Sequence, residues 1–280
     1  MFTSLLVLPF LALSVAAGQE LSYQQAGFST AQANTSVYLS AAAYCDKSSY
    51  LSRSFKGPAA GFVATSVIHD DRTDTTGYIG YLPSDKSIYV VFRGSVSLKN
   101  WIEDLDALKT EYTSYPECGC QVHNGFFIAE QAVIASIVSE VQNLMSAHPG
   151  YKVKVAGHSL GAALAQLAAM DLLKAGIACT AYNFGQPRTG DKTYAAFATA
   201  ALPIWRMVHN KDQVPHLPFT TSMEFYHVCT EEFEDANHKL KSCDSSCEDT
   251  SCADQYAFSD TNWDDHGLYL NLKMSCTSEV

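Results

Sequence analysis

The sequence is poor in positive charge. Its 280 residues include 18 lysines and arginines against 29 aspartates and glutamates, which gives a formal net charge of −11. Proteins that bind nucleic acid or anionic membrane surfaces need positive charge to neutralise phosphates, so we exclude both as main partners. Only 17% of the residues are charged and 47% are hydrophobic, which is enough to form a sizeable core.

Long hydrophobic runs are absent beyond the N-terminus. Residues 5–17 form an apolar run that is too short to span a bilayer and ends in small residues. Val15 and Ala17 stand at the positions −3 and −1 of a signal-peptidase cut, although no lysine or arginine precedes the run. A buried N-terminal helix is the alternative. We predict a signal peptide at 1–17, a secreted extracellular protein, and a single domain at 18–280, because no repeat or linker divides the chain.

Paired C-x-x-C motifs are also absent, although cysteine is plentiful. In an oxidising compartment the nine cysteines predict a disulfide framework. The alternative is a zinc site built from Cys243, Cys247, Cys252 and His238, whose spacing lacks the usual paired ligands. Because nine is an odd number, one cysteine must stay unpaired, and we predict that it is Cys179, which lies in an apolar run. The cysteines are at positions 45, 118, 120, 179, 229, 243, 247, 252 and 276.

Strand-like and helix-like segments alternate along the chain. Apolar residues between Asn124 and His148 recur at steps of seven, four, three and four, which predicts one face of a helix. A second helix, from Ser159 to about Lys174, is apolar on nearly all sides, as expected beneath a sheet. This alternation predicts an α/β protein with a largely parallel sheet. The predicted strands are 61–68, 87–92, 152–156, 178–184 and 205–209.

A sharp turn between a strand and a helix is predicted around Ser159. The strand beginning at Lys152 leads directly into Gly157-His-Ser159-Leu-Gly161, and a helix follows. Such a turn crowds its neighbours, so glycines on both sides let the backbone close around the serine. The motif predicts that Ser159 is a nucleophile and that the Leu160 amide faces developing negative charge.

A nucleophilic serine needs a histidine base and a carboxylate that orients it. In this kind of fold the acid and then the histidine follow the serine along the chain. Asp212, in a loop after a predicted strand, is the candidate acid, whereas Asp264 and Asp265 are interpreted as a solvated turn. The later histidines are 209, 216, 227, 238 and 266, and most histidines in proteins are structural.

An earlier strand also ends in a glycine-containing turn, at Gly94-Ser95. Such a turn commonly supplies a second oxyanion donor, which we assign to the Ser95 amide. The segment 96–105 that follows is short and amphipathic. It predicts either a surface helix or a lid over the site, with Leu98, Trp101 and Ile102 as its apolar residues.

Together these motifs resemble the fungal secreted class 3 lipases and the related type A feruloyl esterases, from about Leu39 to Cys276. The resemblance implies an α/β-hydrolase fold with helices on both faces of the sheet and ester hydrolysis by Ser159, Asp212 and His266. It also implies oxyanion donors at Ser95 and Leu160, a helical lid, and a Cys45–Cys276 bridge. The motifs are Phe92-Arg-Gly-Ser95, Asn100-Trp-Ile102, Val122-His-x-Gly-Phe126, Gly157-His-Ser-Leu-Gly161, Phe184-Gly-x-Pro-Arg188 and His209-x-x-Asp212-x-Val-Pro-x-Leu-Pro218 with the later His266.

The substrate predicted from these features is a carboxylic ester. The Asn-Trp-Ile segment favours an acylglycerol lipase or esterase, and a feruloyl esterase is the alternative. A secreted binding protein with an inactive site is a third, remote interpretation. This chemistry requires no metal and no organic cofactor. We expect a monomer that could work at a lipid–water interface, and Asn34, in the only N-x-[ST] sequon, is the candidate glycosylation site.

Overall fold

A central eight-stranded sheet organises the chain. The computed structural model describes residues 27–96 and 107–280. The strands of the sheet lie in the order β1-β2-β3-β6-β7-β8-β9-β10, and β4-β5 and β11-β12 form two small pairs. The strands are β1 (Val63–Asp70), β2 (Thr75–Leu82), β3 (Ser87–Phe92), β4 (Lys109–Glu111), β5 (Gln121–His123), β6 (Lys152–His158), β7 (Cys179–Phe184), β8 (Ile204–His209), β9 (Glu231–Glu234), β10 (Leu240–Ser242), β11 (Leu268–Tyr269) and β12 (Leu272–Lys273).

The middle of the sheet is parallel and its two ends are antiparallel. Strands β3, β6, β7, β8 and β9 run in parallel, whereas β1-β2-β3 and β9-β10 are antiparallel pairs. Parallel strands direct their carboxyl ends to one edge, where ligand sites of open α/β sheets form. The loops after β3, β6 and β8 therefore meet at that edge.

Helices cover both faces of this sheet, which confirms the predicted α/β architecture. The α-helices are α1 (Thr30–Ala42), α2 (Asn124–Gln131), α3 (Ile134–Ala147), α4 (Leu160–Lys174), α5 (Lys192–Ala201) and α6 (Thr220–Met223). Short 3-10 helices occupy Lys47–Ser52, Gly57–Ala59, Pro116–Cys118, Val214–His216, Ala253–Gln255, Phe258–Asp260 and Asp265–Gly267. No helix among the described residues is long and apolar enough to cross a membrane.

Alternation along β3 divides the core into two layers. Ile88 and Val90 pack with the layer that contains α2, α3, α4 and α5, whereas Tyr89 and Val91 pack with the layer that contains α1. Because successive side chains of a strand point to opposite faces, one fully buried strand contributes to both layers. The helix α4 has buried residues on nearly all sides, as its composition predicts.

Several elements differ from the sequence-based prediction, since β2, β9 and β10 of the central sheet and both small strand pairs lie outside the predicted strands. Strand β2 was not predicted, and its glycines explain why, since a Cβ on Gly77 would lie 2.1 Å from the Val91 carbonyl oxygen. Close backbone approach therefore requires glycine at this position, and glycine inside a strand weakens its sequence pattern. The predicted single helix at 124–148 is interrupted at Val133, whose φ and ψ are −123° and −16°, so α2 and α3 are separate.

The cysteines form disulfides, so the zinc alternative is wrong. Cys243 is bonded to Cys252 and Cys247 to Cys229, which leaves neither pair with thiolates for a metal. The other bridges are Cys45–Cys276, as the resemblance implies, and Cys118–Cys120. Cys179 is the remaining thiol; it is buried in β7, and burial raises its pKa to about 12.

Candidate active site

Ser159 occupies a strained turn between β6 and α4. The strand ends at His158 and the helix begins at Leu160, so one residue makes the change of direction. The φ of Ser159 is +59° and its ψ is −130°, a conformation that non-glycine residues rarely adopt. Its backbone N–H donates to the Phe184 carbonyl at 2.9 Å, which attaches the turn to β7. The geometry is that of a nucleophile elbow.

The flanking glycines permit this turn by their lack of side chains. A Cβ on Gly157 would lie 2.2 Å from the carbonyl oxygen of Gly161. A Cβ on Gly161 would lie 2.5 Å from the carbonyl oxygen of Phe92 in β3. Neither contact is sterically possible, so both positions require glycine, and the motif spacing follows from backbone packing.

His266 and Asp212 form a buried pair although 54 residues separate them. The Nδ1 of His266 lies 2.8 Å from Oδ2 and 2.9 Å from Oδ1 of Asp212. A carboxylate only accepts, so Nδ1 carries the proton and Nε2 is left with a free lone pair. Within the described residues, His266 Nε2 and Ser159 Oγ are both buried and neither has a hydrogen-bond partner. Catalytic hydrogen bonds are often long before substrate binds.

Asp212 is itself held by donors that the sequence analysis missed. The Tyr269 hydroxyl donates to Oδ2, and the Val214 backbone N–H donates to Oδ1 at 2.8 Å. Burial, followed by the charge of Asp212, holds the pKa of Tyr269 well above its usual range, so Tyr269 remains a donor. Asp265, next to the histidine, instead accepts from the Lys211 backbone N–H at 3.1 Å.

The absence of a side chain at Gly185 leaves room for the Asp212–His266 pair. A Cβ there would lie 2.8 Å from Asp212 Oδ2 and 2.8 Å from His266 Cε1, and the φ of Gly185 is +55°. Any side chain would therefore separate the pair. The signal in the sequence is Phe184-Gly-x-Pro-Arg188, which contributes to the family resemblance without indicating this role.

A series of hydrogen bonds links the Tyr44 hydroxyl through His158 to the backbone of the base, His266. His158 Nε2 lies 2.9 Å from the His266 carbonyl oxygen, and because a carbonyl only accepts, Nε2 carries the proton. His158 Nδ1 therefore accepts from the Tyr44 hydroxyl at 2.6 Å, and that hydroxyl accepts from the Gly94 backbone N–H. Burial and then the neighbouring His266 hold the pKa of His158 well below its usual range, so this ring is neutral.

The two amides assigned to the oxyanion lie beside the elbow. Leu160 is the first residue of α4, where backbone N–H groups have no partner within the helix. The loop carrying Ser95 packs against the turn, since a Cβ on Gly94 would lie 2.7 Å from the His158 carbonyl oxygen and 3.0 Å from Ser159 Cβ. Donors at a helix start and at an adjacent strand end can stabilise a tetrahedral oxyanion.

A cavity of about 500 Å³ opens beside His266. Trp263 and Met274 contribute apolar surface, and Tyr44 and Ser95 contribute hydroxyl groups. The disulfide residue Cys276 also lines it, so the cavity extends from the base towards the bridge to the N-terminal part. An apolar cavity with a few polar groups suits a substrate with a hydrocarbon portion.

Three predicted lid residues, Leu98, Trp101 and Ile102, lie outside the described residues, as does the predicted signal peptide. The predicted glycosylation site lies within α1, where Asn34 is half-buried and the Ser36 of its sequon is buried. Sequons that carry glycans generally lie in surface loops, so this prediction needs a chemical test.

The other histidines after the nucleophile have contacts elsewhere. His227 Nε2 lies 2.7 Å from the Pro215 carbonyl oxygen, and burial holds the pKa of His227 well below its usual range. His209, His216 and His238 each face a carboxylate or a carbonyl of another residue. Their contacts are those of structural histidines, as expected from the sequence.

The sequence is similar to those of known lipases. Residues 89–222 match the family described as "Lipase (class 3)". The chain is 36% identical over 188 residues to "Lipase" from Rhizomucor miehei, covering 64% of this chain and 51% of that protein. It is 37% identical over 161 residues to "Secreted mono- and diacylglycerol lipase A" from Penicillium cyclopium, covering 57% and 52%. The chain thus spans about half the length of these curated relatives.

Solved structures extend the similarity over most of the chain. One is a triacylglycerol lipase whose catalytic centre is formed by a serine protease triad. It superposes with a TM-score of 0.80 at 30% identity, covering 87% of this chain and 94% of that one. The sheet, the elbow and the loops above it thus have the arrangement of the α/β-hydrolase fold. On this evidence the chain belongs to the class 3 lipase family, as its motifs predict.

Proposed function

We propose that this protein is a serine carboxylic-ester hydrolase that acts on acylglycerols through an acyl-enzyme. The observation that carries the proposal is the buried His266–Asp212 pair beside a strained Ser159, with 2.8 Å between Nδ1 and Oδ2. Nucleophile, base and acid occur in the order that this fold uses. The lipase names of the relatives at 36–37% identity favour acylglycerols over hydroxycinnamoyl esters.

The proposed reaction begins with attack of Ser159 Oγ on the ester carbonyl carbon, while His266 Nε2 accepts the hydroxyl proton. Asp212 keeps the proton on Nδ1 and stabilises the imidazolium that forms. The Leu160 and Ser95 amides donate to the oxyanion of the tetrahedral intermediate. As the intermediate collapses, the C–O bond to the alcohol breaks and the alcohol takes the proton from His266.

A water molecule then repeats these steps on the acyl-enzyme. His266 accepts a proton from the water, whose oxygen attacks the acyl carbon. As the second intermediate collapses, the bond from the acyl carbon to Ser159 Oγ breaks, Oγ takes the proton from His266, and the carboxylic acid leaves. Every group required is a side chain or backbone amide of this chain, so the mechanism needs no cofactor.

The proposal extends to the setting of the enzyme. We propose secretion with cleavage of residues 1–17, action as a monomer, and contact with a lipid–water interface through the segment 96–105. The four disulfides support an oxidising compartment, and a relative from Penicillium is named as secreted.

The decisive experiment measures hydrolysis of tributyrin across its solubility limit, with methyl ferulate assayed in parallel. We expect tributyrin hydrolysis with a rise in rate once droplets form. Rapid ferulate release with flat tributyrin kinetics would replace the acylglycerol assignment with the feruloyl esterase one.

A fluorophosphonate probe separates either enzyme from a binding protein. The wild type should be labelled at Ser159, and Ser159→Ala should lose labelling and about 10⁴-fold or more of kcat. Ser84→Ala, an exposed serine in the turn between β2 and β3, is the matched control and should retain both. An unlabelled, folded wild type would contradict the proposed chemistry.

A further inference from the structure

The ends of β8 and β9 bring together a second group of ionisable side chains, none of which belongs to the proposed triad. His209 ends β8 and Glu234 ends β9, and the two residues are paired in the parallel register. His238 follows in the turn that leads to β10. One ligand atom from each of the three residues lies within 4.8 Å of the others. Two imidazoles and a carboxylate are therefore clustered by the sheet itself.

The hydrogen bonds around the cluster orient its lone pairs. His209 Nδ1 lies 3.1 Å from the Asp265 carbonyl oxygen, so Nδ1 carries the proton and Nε2 keeps a free lone pair. The Leu270 backbone N–H lies 2.9 and 3.1 Å from the two Glu234 oxygens. Histidines and carboxylates that bind metals are typically held in this way by outer donors and carbonyls.

Apart from the Leu270 N–H, the described contacts of the Glu234 carboxylate include one group that can carry positive charge, His238. The Glu234 side chain has 0% exposure, and no lysine or arginine within residues 27–96 and 107–280 forms an ion pair with it. A buried carboxylate without compensation is costly. The nearest candidate is His238, whose Nδ1 lies 2.7 Å from Oε1 and whose side chain is 25% exposed.

We propose that His209, Glu234 and His238 bind one divalent transition-metal ion, with Zn²⁺ as the best fit. Two imidazole nitrogens and one carboxylate suit zinc, whereas Ca²⁺ and Mg²⁺ prefer oxygen ligands only. His238, the most exposed of the three ligands, would exchange its 2.7 Å contact with Glu234 Oε1 for the ion. The ligands differ from the cysteine set that the disulfides exclude.

The proposed ion has a structural role. Leu270 and Asp265 belong to the segment that carries His266, and the Tyr269 ring packs against His209 at 6.0 Å between centroids. An ion bound by β8 and β9 would therefore fasten the segment carrying the base to the sheet. None of its three proposed ligands belongs to the proposed triad, so no reaction step passes through it.

The test measures metal binding directly, which keeps it independent of hydrolysis. Purified protein is stripped with EDTA and titrated with ZnCl₂ by calorimetry, and bound zinc is counted by mass spectrometry after desalting. We expect one zinc per chain and a rise in Tm of about 5 °C at saturating zinc. A wild type that retains no zinc would overturn the proposal and leave the ester hydrolysis untouched.

Matched variants locate the site. His238→Ala should weaken zinc binding at least about 10-fold and abolish the zinc-dependent rise in Tm. His69→Ala is the control, because His69 has the same 25% side-chain exposure and also contacts a carboxylate, that of Asp71, but lies on β1. Equal zinc binding by wild type and His238→Ala would contradict the assignment and leave an ordinary His238–Glu234 ion pair.

Discussion

The hydroxyl of Tyr44 contacts two parts of the candidate site at once. It accepts from the Gly94 backbone N–H, beside the proposed oxyanion donor, and it donates to His158, which in turn holds the His266 carbonyl. Tyr44 is thus a positioning residue, since it acts on the base through a second side chain. Because the ring also lines the cavity, removing only the hydroxyl separates positioning from substrate contact.

Tyr44→Phe is expected to lower kcat and leave KM nearly unchanged. The lost hydrogen bonds correspond to about 1 kcal/mol, or roughly 5-fold in kcat. The ring remains, so ground-state binding in the cavity should persist. Steady-state kinetics on tributyrin below its solubility limit would measure the two constants separately. A rise in KM with unchanged kcat would show that the hydroxyl serves binding instead.

Gly185→Ala tests whether the spacing of acid and base depends on a missing side chain. The new Cβ would lie 2.8 Å from both Asp212 Oδ2 and His266 Cε1, so the pair must separate. We expect kcat to fall by about 10²-fold, the size of loss that a displacement of 1 Å can produce.

Gly176→Ala is the matched control for that substitution. Gly176 has a φ of +79°, so it carries the same backbone cost as Gly185, but a Cβ there meets nothing within 4 Å. Gly176→Ala should lose about 1 kcal/mol in the free energy of unfolding, Gly185→Ala should lose more because of its added steric overlap, and only Gly185→Ala should lose kcat. Equal kcat for the two variants would contradict the crowding argument.

At the scale of elements, a buried ionic network holds the cysteine-rich insertion between Cys229 and Cys252 near the acid loop. Arg188 donates to both Glu248 oxygens, at 3.0 and 2.7 Å, and to the His216 carbonyl at 2.6 Å. Burial raises the pKa of Glu248, and the charges and hydrogen bonds around it outweigh this, so its pKa lies below the usual range. The insertion is therefore fastened by charge as well as by disulfides.

Asp254 lies close to Glu248 in the same network, so its negative charge is unfavourable there. Burial, and then the charge of Glu248, raise the pKa of Asp254 to about 6. A carboxyl whose pKa is higher in the folded state stabilises the fold relatively more at low pH, and that advantage is lost as pH rises from about 4 to 6. Above pH 6 the ionised Asp254 should therefore destabilise the folded state.

Asp254→Asn is expected to be more stable, relative to the wild type, at pH 7.5 than at pH 4.5. Because the side chain is partly exposed, we expect the difference in Tm to change by only about 2 °C between the two pH values. Asp260→Asn, an exposed aspartate in the 3-10 helix Phe258–Asp260, serves as control and should show the same difference at both. A larger gain for Asp254→Asn at pH 4.5 would refute the sign.

At the scale of the whole molecule, one bridge closes nearly the entire domain. The Cys45–Cys276 disulfide joins residues 231 positions apart, whereas Cys118–Cys120 spans two. In the chain-entropy account a longer loop restricts the unfolded chain more, so the first bridge should contribute much more stability. It also lies ten residues after His266, so it anchors the segment that carries the base.

Removing each bridge by paired alanine substitutions should reveal this order. Cys45→Ala with Cys276→Ala is expected to reduce the free energy of unfolding by about 5 kcal/mol, against about 1–2 kcal/mol for Cys118→Ala with Cys120→Ala. Denaturant unfolding of the two double variants beside the wild type makes the comparison. Equal losses would show that strain or unfolded-state structure dominates loop length.

The features that the sequence predicted correctly depend on interactions between residues that are close together in the chain. A turn from β6 into α4 needs Gly157 and Gly161, and its serine leaves a recognisable motif because backbone crowding acts between near neighbours. A continuous apolar run also marks a fully buried strand such as β3, and a longer one marks a buried helix such as α4. Strand β2 was not predicted because its glycines serve close backbone contacts with other strands, Gly77 with β3 and Gly80 with β1.

The sequence by itself determined the α/β class, the elbow around Ser159 and the presence of a disulfide framework, because these depend on residues close together in the chain. Only the tertiary structure decided that Tyr269 holds Asp212, that Gly185 leaves space for the pair, and that the cysteines of the insertion pair as they do. These contacts join distant segments at the carboxyl edge of the sheet. Hydrophobic periodicity reports which face of an element is buried, and it carries no information about which loops meet there.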